Sequence, residues 1–264
     1  MNRLPRFLLG FHILFAVFMI APLAVVVLVA FTDKNYISMP FDGASLRWFT
    51  AILGRQDFID AFYRSVILAT GAATIASIFA VPAGMAIAWY KFRGRETVLN
   101  LLLSPLMVPH IVLGIAMLRF LSQIGANGTM VGLVLAHAVA VMPYVLRLVV
   151  SAATGFDRSI AQAAESLGAT SWTVFRRVEL PLIIPGIAGG WLLAFINSFD
   201  ELALTVFIAS PSTQTLPVTL YAYIANTIDP LLASISTVLI VFTFALMMLL
   251  ERFYGLGRVL GGRS

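Results

Sequence analysis

The sequence contains no cysteine and few charged residues. Of its 264 residues, 11% are Asp, Glu, Lys or Arg and 60% are apolar, whereas soluble domains carry about 25% charged residues. So few charges cannot cover a water-facing surface, which excludes a soluble enzyme, a disordered regulator and a secreted scaffold. The missing cysteines exclude disulfides, thiol nucleophiles and cysteine-ligated zinc. A mean hydropathy of +0.97 indicates that most of the chain lies in lipid.

Motifs that would carry chemistry are missing as well. Neither Lys34 nor Lys91 follows a glycine, so the chain has no Gly-Lys-Ser/Thr loop for binding ATP. The sequence has no Gly-x-Ser-x-Gly elbow, and its three histidines lack the His-Glu-x-x-His spacing of a zinc site. The net charge of +5 comes from scattered residues rather than from a basic patch with aromatics, which argues against nucleic-acid binding. We expect no catalytic residue, no metal site and no cofactor on this chain.

Six apolar runs are each long enough to cross a hydrocarbon core of ~30 Å, which takes about 20 helical residues. They cover residues 7–31, 66–90, 98–121, 130–150, 183–207 and 231–250. The predicted fold class is therefore an all-α, polytopic membrane protein with six transmembrane helices, and residues 1–264 are expected to form a single transmembrane domain. Gly186-x-x-x-Gly190 in the fifth run favours close packing between helices of the same chain.

The basic residues favour one orientation in the membrane. Cytoplasmic loops carry an excess of Lys and Arg. With the N-terminus inside, the outer segments hold only Lys34, Arg47, Arg55, Arg64 and Arg119, which leaves 12 of the 17 basic residues on the cytoplasmic side. We therefore expect both termini to lie in the cytoplasm.

The loop over residues 151–182 is cytoplasmic in this topology and contains a short helix pattern. Ser159 and Gln162 have the spacing of a capping box, with Asp157 as a competing N-cap. Gly168 suits the left-handed conformation that ends many helices. A second short helix is expected to end before Leu180.

Apolar side chains recur along this short helix at positions 160, 163, 164 and 167, which form a shallow stripe on one face. The periodicity leaves two interpretations open. The stripe either packs on the chain's own bundle or docks a partner that needs a close approach to small side chains.

Five polar side chains fall within the spans, and three of them, His110, His137 and Asp200, lie at similar depth on three different spans if the helices are straight and rise 1.5 Å per residue. A charge at mid-membrane costs about 2.5–3.5 kcal/mol on insertion scales, so each calls for a reason. Asn197 stands three and four residues before the two acids and could bond either. The five either line a solute pathway or hydrogen-bond within the bundle: His110, His137, Asn197, Asp200 and Glu201.

Several motifs together resemble a known family of membrane proteins. Gln162-Ala-Ala164, Gly168 and Val178-Glu-Leu-Pro181 are similar in spacing to the "EAA" loop of the inner-membrane permeases of binding-protein-dependent ABC importers. In this sequence Gln162 stands where the family has Glu. Other stretches resemble the spermidine/putrescine-type branch of that family: Ser104–Pro109, Pro143–Arg147, Asn197–Glu201, Ser210-Pro211 and Thr215–Pro217.

The resemblance implies an ABC importer type I permease (MetI-like) fold in the bacterial inner membrane and a role for the loop in ATPase coupling. Partners would be a second permease subunit, more often a different chain than an identical one, two ATPase subunits that carry ATP and Mg, and an extracytoplasmic solute-binding protein. The residues that the resemblance assigns to coupling are Asp157, Gln162, Ala163, Ala164, Leu167, Gly168, Leu180 and Pro181.

The resemblance also suggests the class of cargo, which is a polyamine, an opine or an amino-acid-like solute. Polyamine-carrying relatives often have an acid at the position of His110, so this departure hints at a less cationic cargo. Two alternatives stay open at this point: a passive channel or membrane scaffold without an ATPase, and an ABC permease for an unrelated solute such as an inorganic anion, iron or a phosphonate.

Overall fold

A computed structural model describes residues 6–40, 43–155 and 157–254. Both termini, which are predicted to be cytoplasmic, lie outside the described residues. No β-strand forms within these three ranges, which agrees with the all-α prediction. The described α-helices are α1 Arg6–Val29, α2 Arg47–Leu53, α3 Gln56–Trp89, α4 Arg95–Leu103, α5 His110–Gln123, α6 Met130–Thr154, α7 Ser159–Ser166, α8 Ser171–Val174, α9 Leu180–Phe199, α10 Thr205–Ile208, α11 Leu216–Ile224 and α12 Pro230–Tyr254.

The number of helices that could cross a membrane agrees with six predicted spans if one bent pair is counted as a single span. That pair is Arg95–Met107 with His110–Gln123. Five further helices are long and apolar enough by length and composition: Leu8–Val29, Gln56–Trp89, Met130–Thr154, Ser171–Phe199 and Pro230–Leu249.

The third predicted span is sharply bent rather than straight. The helix axis bends by 103° between its two halves. The two residues between them, Val108 and Pro109, have extended backbone, with ψ of 126° and 133°. Proline has no N–H to donate and disfavours a helical conformation in the residue before it. The straight-helix assumption behind the predicted depth of His110 is therefore wrong. His110 is instead the first residue of α5.

The helix in the region of the fifth predicted span begins and ends at other residues than predicted. α9 ends at Phe199 and α10 begins at Thr205, so Asp200 and Glu201 lie in a turn rather than on the long helix. At the other end, α8 continues into α9 through a π-helical turn at Phe175–Glu179. The prediction that a short helix ends before Leu180 is therefore wrong.

The π-helical turn lies just before a proline that interrupts the α-helical hydrogen bonds. Pro181 carries no N–H, so it cannot donate to the carbonyl four residues back. The Leu180 N–H donates to the Phe175 carbonyl, five residues back. With this five-residue hydrogen bond the helix continues through the proline without a break. Such π-helical turns are frequent at functional sites.

The described residues divide into two compact units. One comprises those within Met1–Asp60 and Thr219–Ala245, and the other those within Ala61–Val218 and Leu246–Ser264. The predicted loop and all five predicted polar residues belong to the second unit. In the first unit, the Ser234 hydroxyl donates to the Ala30 carbonyl at 3.2 Å. The single-domain organisation stays a prediction.

Close packing of α6 against α9 forms much of the core of the second unit. A Cβ added to Gly186 would lie 2.5 Å from the Ala152 Cβ, and one added to Gly190 would lie 2.9 Å from the Val145 Cα. Only glycine permits such an approach. The predicted internal packing of Gly186-x-x-x-Gly190 is confirmed.

The short helix α10 packs against α5. A Cβ on Gly114 of α5 would lie 3.1 Å from the Leu204 Cα. Leu204 and Ile208 are buried in one cluster with Leu113 of α5 and Leu133 of α6. This packing holds the turn between α9 and α10 beside the first turn of α5.

Candidate functional site

The loop helix α7 begins with a side-chain cap, but not the predicted one. The Asp157 Oδ1 accepts the backbone N–H of Ser159 at 2.9 Å, and no capping bond from Ser159 itself forms. The capping box of Ser159 and Gln162 is therefore wrong, and the competing Asp157 cap is present. The hydrogen bonds from Ser159 hold the pKa of the Asp157 carboxyl below its ordinary value.

The end of α7 is closed at Gly168, as predicted. Gly168 has φ of +89°. Its N–H donates to the Glu165 carbonyl at 2.9 Å, and the N–H of Ala169 donates to the Ala164 carbonyl at 3.1 Å. This pair of bonds is the Schellman motif, which satisfies the last carbonyls of the helix and turns the chain sharply. Glycine adopts this conformation at little steric cost.

The predicted apolar stripe of α7 faces away from the chain's own bundle. Ile160 is 51% exposed and Leu167 is 90% exposed, while Ala161, on another face, is buried. Ala163 and Gln162 are exposed and Ala164 is half-buried. Of the two interpretations left open, packing of the stripe on its own bundle is therefore wrong for this chain in isolation. We refer to Ile160, Ala163, Leu167 and Gly168 as the α7 face.

Two residues of the predicted coupling set lie away from the α7 face. Leu180 and Pro181 form the first turn of α9, directly after the π-helical turn. Leu180 is half-buried and Pro181 is exposed. They belong to the same continuous helix as α8, so the helical backbone runs unbroken from the loop into the fifth span.

Of the five predicted polar residues, His110 and Glu201 are in direct contact. The Nδ1 of His110 bonds to the Oε2 of Glu201. The His110 side chain is 34% exposed and that of Glu201 is 11% exposed. Because His110 begins α5, the Glu201 carboxylate lies at the amide end of that helix, where negative charge is favoured.

Glu201 also organises the start of α10. Its Oε1 accepts the N–H of Leu204 at 2.9 Å, and its backbone carbonyl accepts the Thr205 hydroxyl at 2.7 Å. A carboxylate that accepts a backbone N–H at a helix start satisfies one of the donors left free there. Glu201 is thus a structural residue of the turn as well as the partner of His110.

His137 is fully buried and continues this network. Its Nε2 lies 3.0 Å from the Thr205 Oγ1 and its Nδ1 lies 2.9 Å from the Ser198 Oγ. Because the Thr205 hydroxyl donates its proton to Glu201, it accepts the Nε2–H of His137. The Nδ1 then accepts the Ser198 hydroxyl proton, which corresponds to a neutral imidazole.

Asn197 and Asp200 lie outside this network. The Asn197 amide donates to the Leu193 carbonyl of its own helix at 2.8 Å, so the predicted bond to a carboxylate is wrong. Asp200 is exposed, and its carboxylate makes no hydrogen bond or ion pair within the described residues. The two adjacent acids therefore lie in different environments, since the Glu201 carboxylate is bonded within the protein and the Asp200 side chain is exposed.

The network predicts that His137 contributes to stability. His137→Leu leaves the Ser198 and Thr205 hydroxyls without their shared partner, and hydrogen bonds between membrane helices are worth about 0.6–1.7 kcal/mol each. We expect a lower thermal unfolding midpoint in detergent, measured by loss of the monodisperse peak after heating. Ser77→Ala is the matched control, because among the described residues the Ser77 hydroxyl bonds to the Ala73 carbonyl of its own helix and not to another helix. An unchanged midpoint in His137→Leu would show that the network contributes no stability.

Sequence reasoning missed Ser198 and Thr205, which hold His137, and Arg158 and Glu179 beside the loop. The His137 partners are separated from it by 61 and 68 residues, so no helical spacing could reveal them. Arg158 lies between the two cap candidates Asp157 and Ser159, and Glu179 lies within the Val178–Pro181 motif, but no sequence spacing pairs these two residues. Their pairing depends on the continuous helix through the π-helical turn, which the sequence did not predict.

Comparison with known proteins agrees with this architecture. The family model for the binding-protein-dependent transport system inner membrane component matches residues 80–256. The spermidine/putrescine transport system permease protein PotC of Haemophilus influenzae is 30% identical over 247 residues, which cover 93% of this chain and 96% of PotC. The putrescine transport system permease protein PotI of Escherichia coli K12 is 30% identical over 245 residues, covering 90% of this chain and 85% of PotI.

A solved structure shares the fold. A chain of a bacterial ABC transporter involved in the import of the acidic polysaccharide alginate superposes with a TM-score of 0.71 at 15% identity, covering 96% of this chain and all of that one. The predicted all-α, multi-pass permease architecture is confirmed. On the family match and the relatives together, the chain belongs to the binding-protein-dependent transport system inner-membrane components, a family of transport permeases.

Proposed function

We propose that this chain forms half of the translocation pathway of an ATP-driven importer and takes its driving force from separate ATPase subunits at the α7 face. The observation that carries the proposal is the exposure of that face. Leu167 is 90% exposed and Ile160 51% exposed on a helix that is capped at both ends. An ordered helix with an uncovered apolar face, rimmed by polar residues, is typical of an interaction site.

In the proposed transporter, separate ATPase subunits hydrolyse ATP and this chain does not. This chain has no phosphate-binding loop of its own, and its described residues contain no group of three His, Cys, Asp or Glu side chains that could hold a metal. ATP and Mg would bind to two ATPase subunits, a second permease would complete the pathway, and an extracytoplasmic binding protein would deliver the solute.

We infer that the cargo is an organic cation of the polyamine class, although His110 stands where polyamine-carrying relatives often have an acid. PotC and PotI carry spermidine and putrescine in their names, and Asp200 offers this chain an unpaired carboxylate. Glu201 is less available to a cargo, because His110 and the Leu204 N–H occupy its carboxylate oxygens. An acidic pathway disfavours an anionic cargo such as an inorganic oxyanion.

The proposed orientation places α7 in the cytoplasm. Because the chain lacks native cysteine, single thiols report the side of each loop without background. Ser166→Cys at the end of α7 is expected to react with a membrane-impermeant maleimide only after the cells are permeabilised. Asn127→Cys, in the exposed loop between α5 and α6, is the control and is expected to react in intact cells. Labelling of Ser166→Cys in intact cells would contradict the proposed ATPase docking.

Copurification separates this function from a passive channel or a scaffold. Gentle solubilisation of the tagged chain is expected to recover an ATPase subunit and a second permease. The reconstituted complex is expected to take up radiolabelled putrescine or spermidine only with ATP and the binding protein. Uptake without ATP would support the channel, and recovery of no ATPase would contradict the proposal.

A further inference from the structure

Arg158 links the start of α7 to two other elements of the second unit. Its Nη1 donates to the Trp89 carbonyl at 3.2 Å, and its Nη2 lies 3.9 Å from the Glu179 Oε1. Trp89 is the last residue of α3, and Glu179 is the last residue of the π-helical turn. One guanidinium therefore joins the loop helix to the end of α3 and to the π-helical turn before α9.

The Arg158 side chain is further held by aromatic rings. Its Cζ lies 5.5 Å from the centroid of the Trp89 ring and 5.8 Å from that of Tyr90. The Trp89 ring is fixed in turn, because its Nε1 donates to the Ala153 carbonyl of α6 at 3.0 Å. A guanidinium over aromatic faces gains a cation–π attraction that an ammonium at the same place makes less well.

Arg158 borders an open pocket. A cavity of about 470 Å³ lies between α3 and the helix formed by α8 and its π-helical turn. Met85 and Ala86 line it from α3, Val174 and Phe175 from the other side, and Arg158 borders it together with Glu165. Arg158 reaches past this gap to the last residue of α3, so its contacts connect movement of α7 directly to that helix.

We propose that Arg158 is the positioning residue that transmits movement of α7 to α3 and to the π-helical turn before α9. The inference rests on the function proposed above. Arg158 moves with α7 because it immediately precedes that helix. In a π-helical turn the backbone N–H bonds five residues back instead of four, and such turns occur at functional sites. A force on Glu179 therefore acts at the irregular turn of the long helix, where we expect the helix to deform first.

The test is the number of solute molecules imported per ATP hydrolysed by the complete reconstituted transporter. Radiolabelled putrescine uptake and phosphate release are measured in the same vesicles. Arg158→Gln removes the charge and the aromatic stacking, and we expect the imported solute per ATP to fall roughly 5-fold or more while the ATPase subunits still copurify. Arg158→Lys keeps the charge but loses the planar fork, and we expect an intermediate loss.

Two further variants complete the design. Glu179→Gln is expected to reduce the same ratio less than Arg158→Gln, because the Trp89 bond and the ring contacts remain. Arg93→Gln is the control, since Arg93 is an exposed arginine in the loop that follows α3, and it should leave the ratio unchanged. If Arg158→Gln does not assemble, Arg158→Lys and Glu179→Gln carry the test.

The outcomes separate this inference from the proposed function. A wild-type chain that recovers no ATPase, or that takes up no putrescine, contradicts the proposed function or its cargo whatever Arg158 does. A coupled wild type whose Arg158 variants keep the same solute imported per ATP overturns the inference alone. Loss of ATPase binding in Arg158→Lys and Arg158→Gln would also overturn it, because Arg158 would then be a docking residue.

Discussion

Ala163→Glu is expected to abolish ATPase copurification and ATP-driven uptake. Ala163 is exposed on the α7 face, where a partner must approach closely, and an added carboxylate there has to be desolvated on docking. An unpaired charge in an interface costs several kcal/mol, and each 1.4 kcal/mol is tenfold in affinity. We expect at least a hundredfold loss of affinity, measured as the ATPase recovered per permease after washing.

The matched control places the same charge one residue away. Gln162 stands where the resembling family motif has Glu, so Gln162→Glu should keep both ATPase binding and uptake. Equal losses in Gln162→Glu and Ala163→Glu would indicate a general effect of acidic charge on the loop. Full ATPase binding in Ala163→Glu would remove the α7 face from the proposed docking site.

The Schellman turn offers a second test of the same surface. Gly168→Ala forces a side chain into φ of +89°, at a cost of about 1–2 kcal/mol, and shifts the exit of the chain from α7. Gly94 and Gly125 have φ of +86° and +70°, and like Gly168 they have no heavy atom within 4 Å of an added Cβ. The three alanine variants therefore carry similar backbone strain, and only Gly168→Ala should lower ATPase recovery.

Asp200→Asn is expected to reduce uptake about tenfold or more with the transporter still assembled. The Asp200 carboxylate has no partner among the described residues, so its loss removes nothing that the fold needs. It does remove the negative charge proposed to attract a cationic cargo. The measurement is radiolabelled putrescine uptake, normalised to the assembled complex recovered from the same vesicles.

Glu201 supplies the comparison, because its charge and its hydrogen bonds can be changed separately. In Glu201→Gln the amide oxygen still accepts the Leu204 N–H, so we expect the complex to assemble and to retain most uptake. Glu201→Ala leaves the N–H of the buried Leu204 without its partner, which costs about 1–3 kcal/mol, and also removes the bond to His110, so it should impair assembly. Normal uptake in Asp200→Asn together with loss in Glu201→Gln would reverse the roles assigned to the two acids.

The apolar runs predicted the helices well, and the motifs predicted the family. A run of about 20 apolar residues has few alternatives to a membrane helix, because every backbone group must be satisfied inside the segment. The end of α7 was equally predictable, since Gly168 satisfies a local requirement of the backbone. Such features depend on residues within a turn or two of each other.

Prolines and polar turns decided where those helices bend and end. The sequence contains Pro109 and Pro181, yet the first gives a 103° bend and the second a continuous helix with a π-helical turn. Proline removes one donor in both places, and the packing of neighbouring helices determines whether the chain bends or widens its register. The local sequence could not distinguish these outcomes.

The amino-acid sequence by itself determined that this protein lies in lipid, its helical class, its family and the short loop helix closed at Gly168, because composition and short-range spacing carry that information. The exposure of the α7 face was decided by the tertiary structure. Tertiary structure alone decided that Glu201 is bonded to His110 while Asp200 stays free, and that Arg158 joins three helices. Those pairings join residues more than 60 positions apart in two cases. They arise from the way that bent helices pack, which no short-range pattern encodes.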